Sequence, residues 1–280
     1  MMQFRVVHRT RIGYEGEAAA SYNEARMTPF TSAHQLVLHT RLEVSPTPWS
    51  HTYRDYWGTE VTAFEVLDTH KELVVTATST VQVDRPAPLP GGLTWDEVRS
   101  PEVADRQCES LVVTPRVAPD EELAVRIADL VATTPGPTDF AHALCRLVHD
   151  EVSYEYGSTE VHGHAADAWA ARSGVCQDMA HIVIGGLRSV GVPARYVSGY
   201  LHPTEQPVTG ETVVGESHAW VEWWDGSWIG FDPTNNLDPG DRHVVVARGR
   251  DYADVPPLSG VYSGGGTSEL EVDVRVTRLR

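Results

Sequence analysis

Two periodicities divide this chain. Over residues 1 to about 85, apolar and polar positions alternate in short runs separated by Pro, Gly and Asn clusters. A two-residue period is what a strand with one buried face requires. It predicts strands from Gln3 to Val7, Leu36 to Val44, Glu60 to Val66 and Leu73 to Val83, the last being the clearest. No helical period interrupts them, so this part reads as an antiparallel, sandwich-like β-domain.

From about residue 95 the period lengthens. Pro119-Asp120-Glu121-Glu122 supplies a helix start with acids in the first turn, and Leu123, Ile127, Leu130 and Val131 follow at helical spacing. A second helix is predicted from Thr138 to Val152. A third runs from Cys176 to Val190, stopped by a left-handed Gly191 with Pro193 just beyond. Ala194 to Leu201 reads as a strand, and His202 to Gly215, polar with two prolines, as a mobile loop. The stretch Glu269 to Thr277 alternates cleanly again, which predicts that it returns to the N-terminal sheet. The resulting α+β organisation is a β-domain over 1–85, a Pro/Gly-rich linker over 86–100, a core over 101–262 and a returning strand over 263–280.

Charge narrows the partners. Lys+Arg 22 against Asp+Glu 39 gives a net charge of -17, which disfavours nucleic acid and anionic membrane surfaces. No run approaches the roughly 20 apolar residues of a membrane span, and no signal-peptide segment follows the alternating N-terminus. Cys108, Cys145 and Cys176 are too few and too widely spaced for a disulfide framework. These features predict a cytoplasmic, reduced protein. Cys145 lies beside an apolar helical stripe and reads as a buried, inert thiol. Cys108 has no assigned role, and His142 and His149 read as surface or partly buried histidines.

Cys176 differs because it opens a helix. Unsatisfied backbone N–H groups and the helix dipole there stabilise a thiolate. Acyl transfer also needs an imidazole to pair with that thiolate and protonate the leaving group, and a third group to hold the imidazole's tautomer. Ser217-His218-Ala219-Trp220 and Phe231-Asp232-Pro233 lie on two arms of a hairpin signalled by Asp225-Gly226. A two-residue turn would set His218 across from position 233 and point Asp232 to the opposite face. A three-residue turn, Trp224-Asp225-Gly226 with Gly226 left-handed, sets His218 across from Asp232 at a Cβ separation of about 4.5–5.5 Å. It also gathers Ala219, Val221 and Trp223 with Ile229 and Phe231 on one apolar face, and burial of one face is what selects register. The expected catalytic set is Cys176, His218 and Asp232.

A zinc site from His162, His164, Cys176 and His181 lacks any paired Cys-x-x-Cys or His-Glu-x-x-His motif. Neither a metal nor a cofactor is expected.

The chain resembles the bacterial transglutaminase-like family. The likeness rests on Ser173-Gly174-Val175-Cys176-Gln177-Asp178-Met179-Ala180-His181, on Gly191 to Tyr200, on Ser217-His218-Ala219-Trp220 and on Asp232-Pro233-Thr234-Asn235. Val246 to Tyr252, Asp254 to Pro257, Asn23 to Pro29 and Asp55-Tyr56-Trp57-Gly58 extend it over nearly the whole chain. The resemblance implies a papain-like core with Cys176 as nucleophile, His218 as base and acid, and Asp232 as orienting carboxylate. Met179 stands where phenylalanine is common, a difference of packing rather than chemistry. The Cys176 backbone N–H is one expected oxyanion donor, with Trp169 a candidate for the second. Arg250, Asp251 and Tyr252 are expected near the site without an assigned role.

The expected activity is cysteine-dependent acyl transfer at an amide carbonyl of a protein or peptide, through a thioester on Cys176. An amine acceptor makes it transglutamination; water makes it peptidase or amidase chemistry. The triad alone does not choose. Trp220, Trp223, Trp224 and Trp228 crowd the hairpin and would favour an amine by excluding water, although the three-residue turn places Trp223 on the core face, which weakens that hint. The acidic balance would attract lysine side chains, although most of it reads as a solvated surface. The rival from another class is a non-enzymatic binding or scaffold module using the β-domain as its surface, which a lost triad residue would have favoured.

Overall fold

A computed structural model describes residues 1–87, 92–155 and 163–280. Its N-terminal strands are β1 (Met2–Ala25), β2 (Gln35–Ser45), β3 (Trp49–Arg54), β4 (Glu60–Val66) and β5 (His70–Val83). Helices α1 (Trp95–Val98), α2 (Pro101–Arg106), α3 (Glu121–Thr133) and α4 (Pro137–Glu151) follow. Then come β6 (Ser153–Tyr154), α5 (Ala165–Ala171), β7 (Ser173–Gly174), α6 (Cys176–Ser189) and β8 (Ala194–Leu201). The remainder is β9 (Thr212–Val214), β10 (Glu216–Trp224), β11 (Trp228–Phe231), β12 (His243–Gly249), β13 (Leu258–Gly264) and β14 (Ser268–Arg278).

β1 organises the first sheet. It pairs with β5 and β14 along its first half, then with β4 and β13 along its second; β2 and β9 add outside, and β3 pairs with β4. Because β13 and β14 both run antiparallel to β1, they act as one long strand, interrupted opposite Tyr14 to Ala18. Gly16, at φ +99°, turns the chain there. The predicted strand from Gln3 to Val7 is only the start of β1. Gly13, Gly16 and the alanines at 18–20 erase its alternation, and pairing along both edges holds it extended. The expected return of the C-terminal strand is observed, with Phe4 facing Arg278 and Tyr14 facing Ser268. The stretch from His202 to Gly215, expected as a loop, carries β9, which pairs with β14. Thr94 and Glu97 form a capping box at α1, inside the stretch read as a linker.

The second sheet is antiparallel, in the order β11-β10-β8-β12, with α6 packed on β10 and β8. Met179, Ile182, Val183 and Leu187 of α6 are buried, each contributing about 1.5–3 kcal/mol by leaving water. At Gly185 a Cβ would lie 1.7 Å from the Val117 carbonyl oxygen, so the close approach admits no side chain. The helix stops as expected at a left-handed Gly191, φ +83°, with Val192 N–H donating to the Leu187 carbonyl. Phe4, Val6, Val81 and Val83 join the same buried cluster as α6, so the two sheets share one interior. Gln35 joins them further: its side-chain amide donates to the Val245 carbonyl and accepts from Val245 N–H, each at 2.8 Å. Among the described residues no helix is long and apolar enough to cross a membrane.

Candidate active site

Cys176 is delivered at the first position of α6 by a short extended approach. β7 pairs in parallel with β6, Val175 is extended, and the Asp178 carboxylate accepts the Val175 N–H at 2.9 Å. Gly174 leaves the room this needs, since a Cβ there would come within 2.9 Å of the Asp178 side chain. Cys176 is partly exposed, which the expected role of nucleophile requires. Cys145 is buried, and burial pushes its thiol pKa well up, in keeping with an inert group. Cys108 is exposed.

The hairpin has an odd turn, but not the one expected. Trp224 faces Trp228 and Val221 faces Phe231, so the turn is Asp225-Gly226-Ser227, with Gly226 at φ +83°. Register is displaced by one side-chain step: Asp232 falls beyond the last pair, on the same face as His218 but nearer Trp220. The displacement comes from the strand being longer. Trp224 and Trp228 stack edge to face, and Arg195 lies over Trp228, so both tryptophans belong to the ladder rather than to the turn. The expected apolar face of Val221 and Trp223 against Phe231 and Ile229 holds. Asp232 still reaches the histidine, accepting from His218 Nε2 at 2.7 Å.

Burial alone would lower the His218 pKa, but hydrogen bonds to Asp232 and Cys176, with their charges, raise it to about 10. With Nε2 committed to Asp232, Nδ1 is the ring nitrogen left for the sulfur. Burial would raise the Asp232 pKa, yet its bonds to His218 and His243 pull it far below the ordinary carboxylate value. Asp232 also accepts from the Asn235 side chain at 2.8 Å and from the backbone N–H groups of Thr234 and Asn235. His243 was not singled out from sequence. Its Nδ1 accepts the Gly240 N–H, which leaves the proton on Nε2, 3.2 Å from Asp232. Burial keeps it neutral by lowering its pKa. His149, also without an assigned role, donates to the carbonyls of Pro233 and Thr234 and so tethers the turn that carries Asp232.

A cavity of about 210 Å³ opens at Cys176 and His218. Its aromatic walls are Tyr154, Tyr196 and Tyr252; among the described residues no tryptophan lines it. Trp220 instead packs with Val197 and Val245, Trp223 bonds Thr138, and Trp224 and Trp228 sit at the hairpin's far end. Trp169 is fully buried under Arg172 and does not line the cavity, which removes the ground for a second oxyanion donor there. Tyr252 earns its place through its backbone: its N–H donates to His181 Nε2, and buried Asp251 caps the turn by accepting from Ala253.

The zinc grouping is not assembled among the described residues. His181 is committed to Tyr252 and is pushed down to about 3, chiefly by burial; His164 bonds the Pro115 carbonyl; His162 lies outside the described residues. The ligand atoms that do converge, within 4.8 Å, are those of His218, Asp232 and His243. In the hydrogen-bonded form both histidines donate to the carboxylate, so a cation would have to displace those protons.

Residues 4–82 match the bacterial transglutaminase-like N-terminal region and residues 124–233 the transglutaminase-like superfamily. An uncharacterised protein of Mycobacterium leprae is 43% identical over 279 residues, covering 100% of each chain. A protein-glutamine gamma-glutamyltransferase of Pseudomonas aeruginosa is 31% identical over 105 residues, 35% of this chain and 16% of that one. A candidate cysteine protease from Cytophaga hutchinsonii has the same fold, with a TM-score of 0.78 at 22% identity over 100% of this chain and 91% of that one. With both of these segments matched and a relative similar from end to end, the chain belongs to the bacterial transglutaminase-like family.

Proposed function

We propose that this protein transfers acyl groups from amide carbonyls of proteins or peptides to amines, through a thioester on Cys176. The observation that carries the reading is His218, bridged between Cys176 and Asp232 and kept protonated by them at a solvent-open cavity. Cys176 attacks the carbonyl carbon as a thiolate. The Cys176 N–H, in the first helical turn where no intrahelical acceptor exists, faces the developing oxyanion. His218 gives its proton to the departing nitrogen, and ammonia leaves from a glutamine side chain. The now neutral imidazole takes a proton from the incoming amine as it attacks the thioester. Asp232 keeps its charge throughout and holds the ring.

The match to a glutamyltransferase over part of the core favours the amine acceptor. Hydrolysis is the second reading, because the tyrosine-lined cavity opens to solvent and water can reach the thioester by the same path. The test is incubation of a glutamine-containing peptide library with and without a primary amine, read by mass spectrometry. Amine incorporation dependent on Cys176 supports the proposal. Deamidation or backbone cleavage alone selects the hydrolase, and products that survive Cys176→Ala sink both.

A further inference from the structure

We infer that the concave face of the β1, β13 and β14 ribbon is a subsite for an uncharged, apolar stretch of substrate polypeptide beside the reacting amide. The inference rests on the acyl-transfer reading above. A cavity of about 330 Å³ lies in the bend of this ribbon, near the lower end of ligand-pocket sizes, about 300–1,000 Å³. It adjoins the cavity at the nucleophile, since Ser217, Tyr252 and Pro257 line both. A chain held with its amide at Cys176 therefore runs past these three residues into the bend.

The lining specifies what fits. No Asp, Glu, Lys or Arg lines this cavity among the described residues, in a chain of net charge -17. His8 is neutral there, pushed down to about 4 chiefly by burial, and is bonded to the Tyr200 hydroxyl at 3.0 Å. The apolar wall includes Ile12, Leu258, Val261, Leu270 and Val272. Leu270 pairs with Ile12 and Val272 with Thr10, so the two β14 side chains share the concave face. They are nonetheless 61% and 51% exposed. Lone exposed apolar residues are ordinary, but two on one face of a cavity that adjoins the proposed active site mark a surface that something covers. Ser259 and Ser268 provide neutral hydrogen-bonding groups along the same path. An extended peptide with apolar side chains satisfies this mixture of polar and apolar wall. An acidic segment would lose solvation there without gaining a counter-charge.

The test uses full-length Cys176→Ala and two fluorescein-labelled pentapeptides, Leu-Leu-Gln-Leu-Leu and Glu-Glu-Gln-Glu-Glu, in binding titrations. The leucine peptide is expected to bind at least tenfold more tightly, and L270E/V272E is expected to weaken its binding at least fivefold. Equal binding of the two peptides, no binding of either, or unchanged binding in the double variant would overturn the inference. If the double variant does not fold, the comparison of the two peptides on the unaltered groove still decides. Iodoacetamide alkylation of the unsubstituted protein separates this outcome from the catalytic reading. Loss of selective Cys176 labelling would discredit the nucleophile, whereas the titrations judge the groove.

Discussion

The α6 module and the eight-stranded sheet are assembled in opposite ways. Among the described residues, the helices, the β6–β7 pair and the second sheet come from one stretch of chain, Trp95–Gly249, which also carries β9. The eight-stranded sheet is built from both chain ends, and its β1–β14 pairing joins Phe4 to Arg278. Within the module, the proposed reactive groups are positioned by local devices: a helix start for Cys176, and a single hairpin for His218 and Asp232. The groove in the bend of β1 has no such local origin and forms only when the distant ends close on each other. The candidate site and the proposed subsite thus differ in origin but share Ser217, Tyr252 and Pro257 as lining.

The most severe way to break that junction is truncation after Gly264. It removes β14 from between β1 and β9 and strips Val274 and Val276 from an interior that contains both Phe4 and α6. The expected outcome is loss of cooperative unfolding of the entire chain in a urea titration followed by circular dichroism. A truncated protein that still melts as one unit would mean that the module stands without the sheet. Gly185→Ala attacks the other side. Its Cβ would meet the Val117 carbonyl, a backbone atom with little freedom to yield. A destabilisation of about 3 kcal/mol or more is expected, since overpacking against backbone is among the costly core changes.

Asp232→Asn should act on chemistry while keeping the side-chain shape. Turnover should fall by about 10³–10⁴-fold, the size seen where a triad carboxylate loses its charge. The pH profile sharpens the point. His218 is raised to about 10, against burial, by Asp232 and Cys176. Its stabilising contribution is therefore complete below the unfolded value near 6.5 and is lost as pH rises through about 10. The depressed Asp232 describes the same interaction from the acid side, present above its unfolded value near 3.8 and lost as pH falls toward its native one. Activity should decline along an alkaline limb near pH 10, and Asp232→Asn should move that limb down toward the ordinary histidine range. A limb that stays in place would separate His218 from the acid that protonates the leaving group.

How much was legible follows the same division. The start of α6, its stop at Gly191, β4 and β8 were all readable because each is announced within a few residues by period, cap or glycine. The pairing of His218 with Asp232 was readable in its parity alone. An odd turn was required, but sequence rules place the turn by its glycine and do not weigh a Trp224–Trp228 contact that lengthens the strands. The full length of β1 was hidden, since its middle has no alternation and is extended only by partners remote in sequence. His243 and His149 were hidden for another reason. Each acts through hydrogen bonds to groups reached only in the folded chain, and a lone histidine has no period to betray it.

His243 offers the smallest effect and the finest discrimination. It shares the Asp232 carboxylate with His218, but its accepted bond from Gly240 assigns it the neutral, donating form. His243→Phe removes that single donor and keeps a ring against Trp220, which His243 meets edge to face at 5.3 Å. A hydrogen bond to a charged group contributes about 1.5 kcal/mol or more, and the remaining donors to Asp232 offset part of it. Turnover should fall by about 3- to 10-fold with KM unchanged, and His243→Gln, which can still donate, should recover most of the loss. The alkaline limb should not move down, because the negative charge facing His218 is intact and has lost a competing donor. A limb that drops in His243→Phe as it does in Asp232→Asn would mean that His243 helps to hold the charge on His218, and the two histidines would then be partners rather than a catalytic residue and its support.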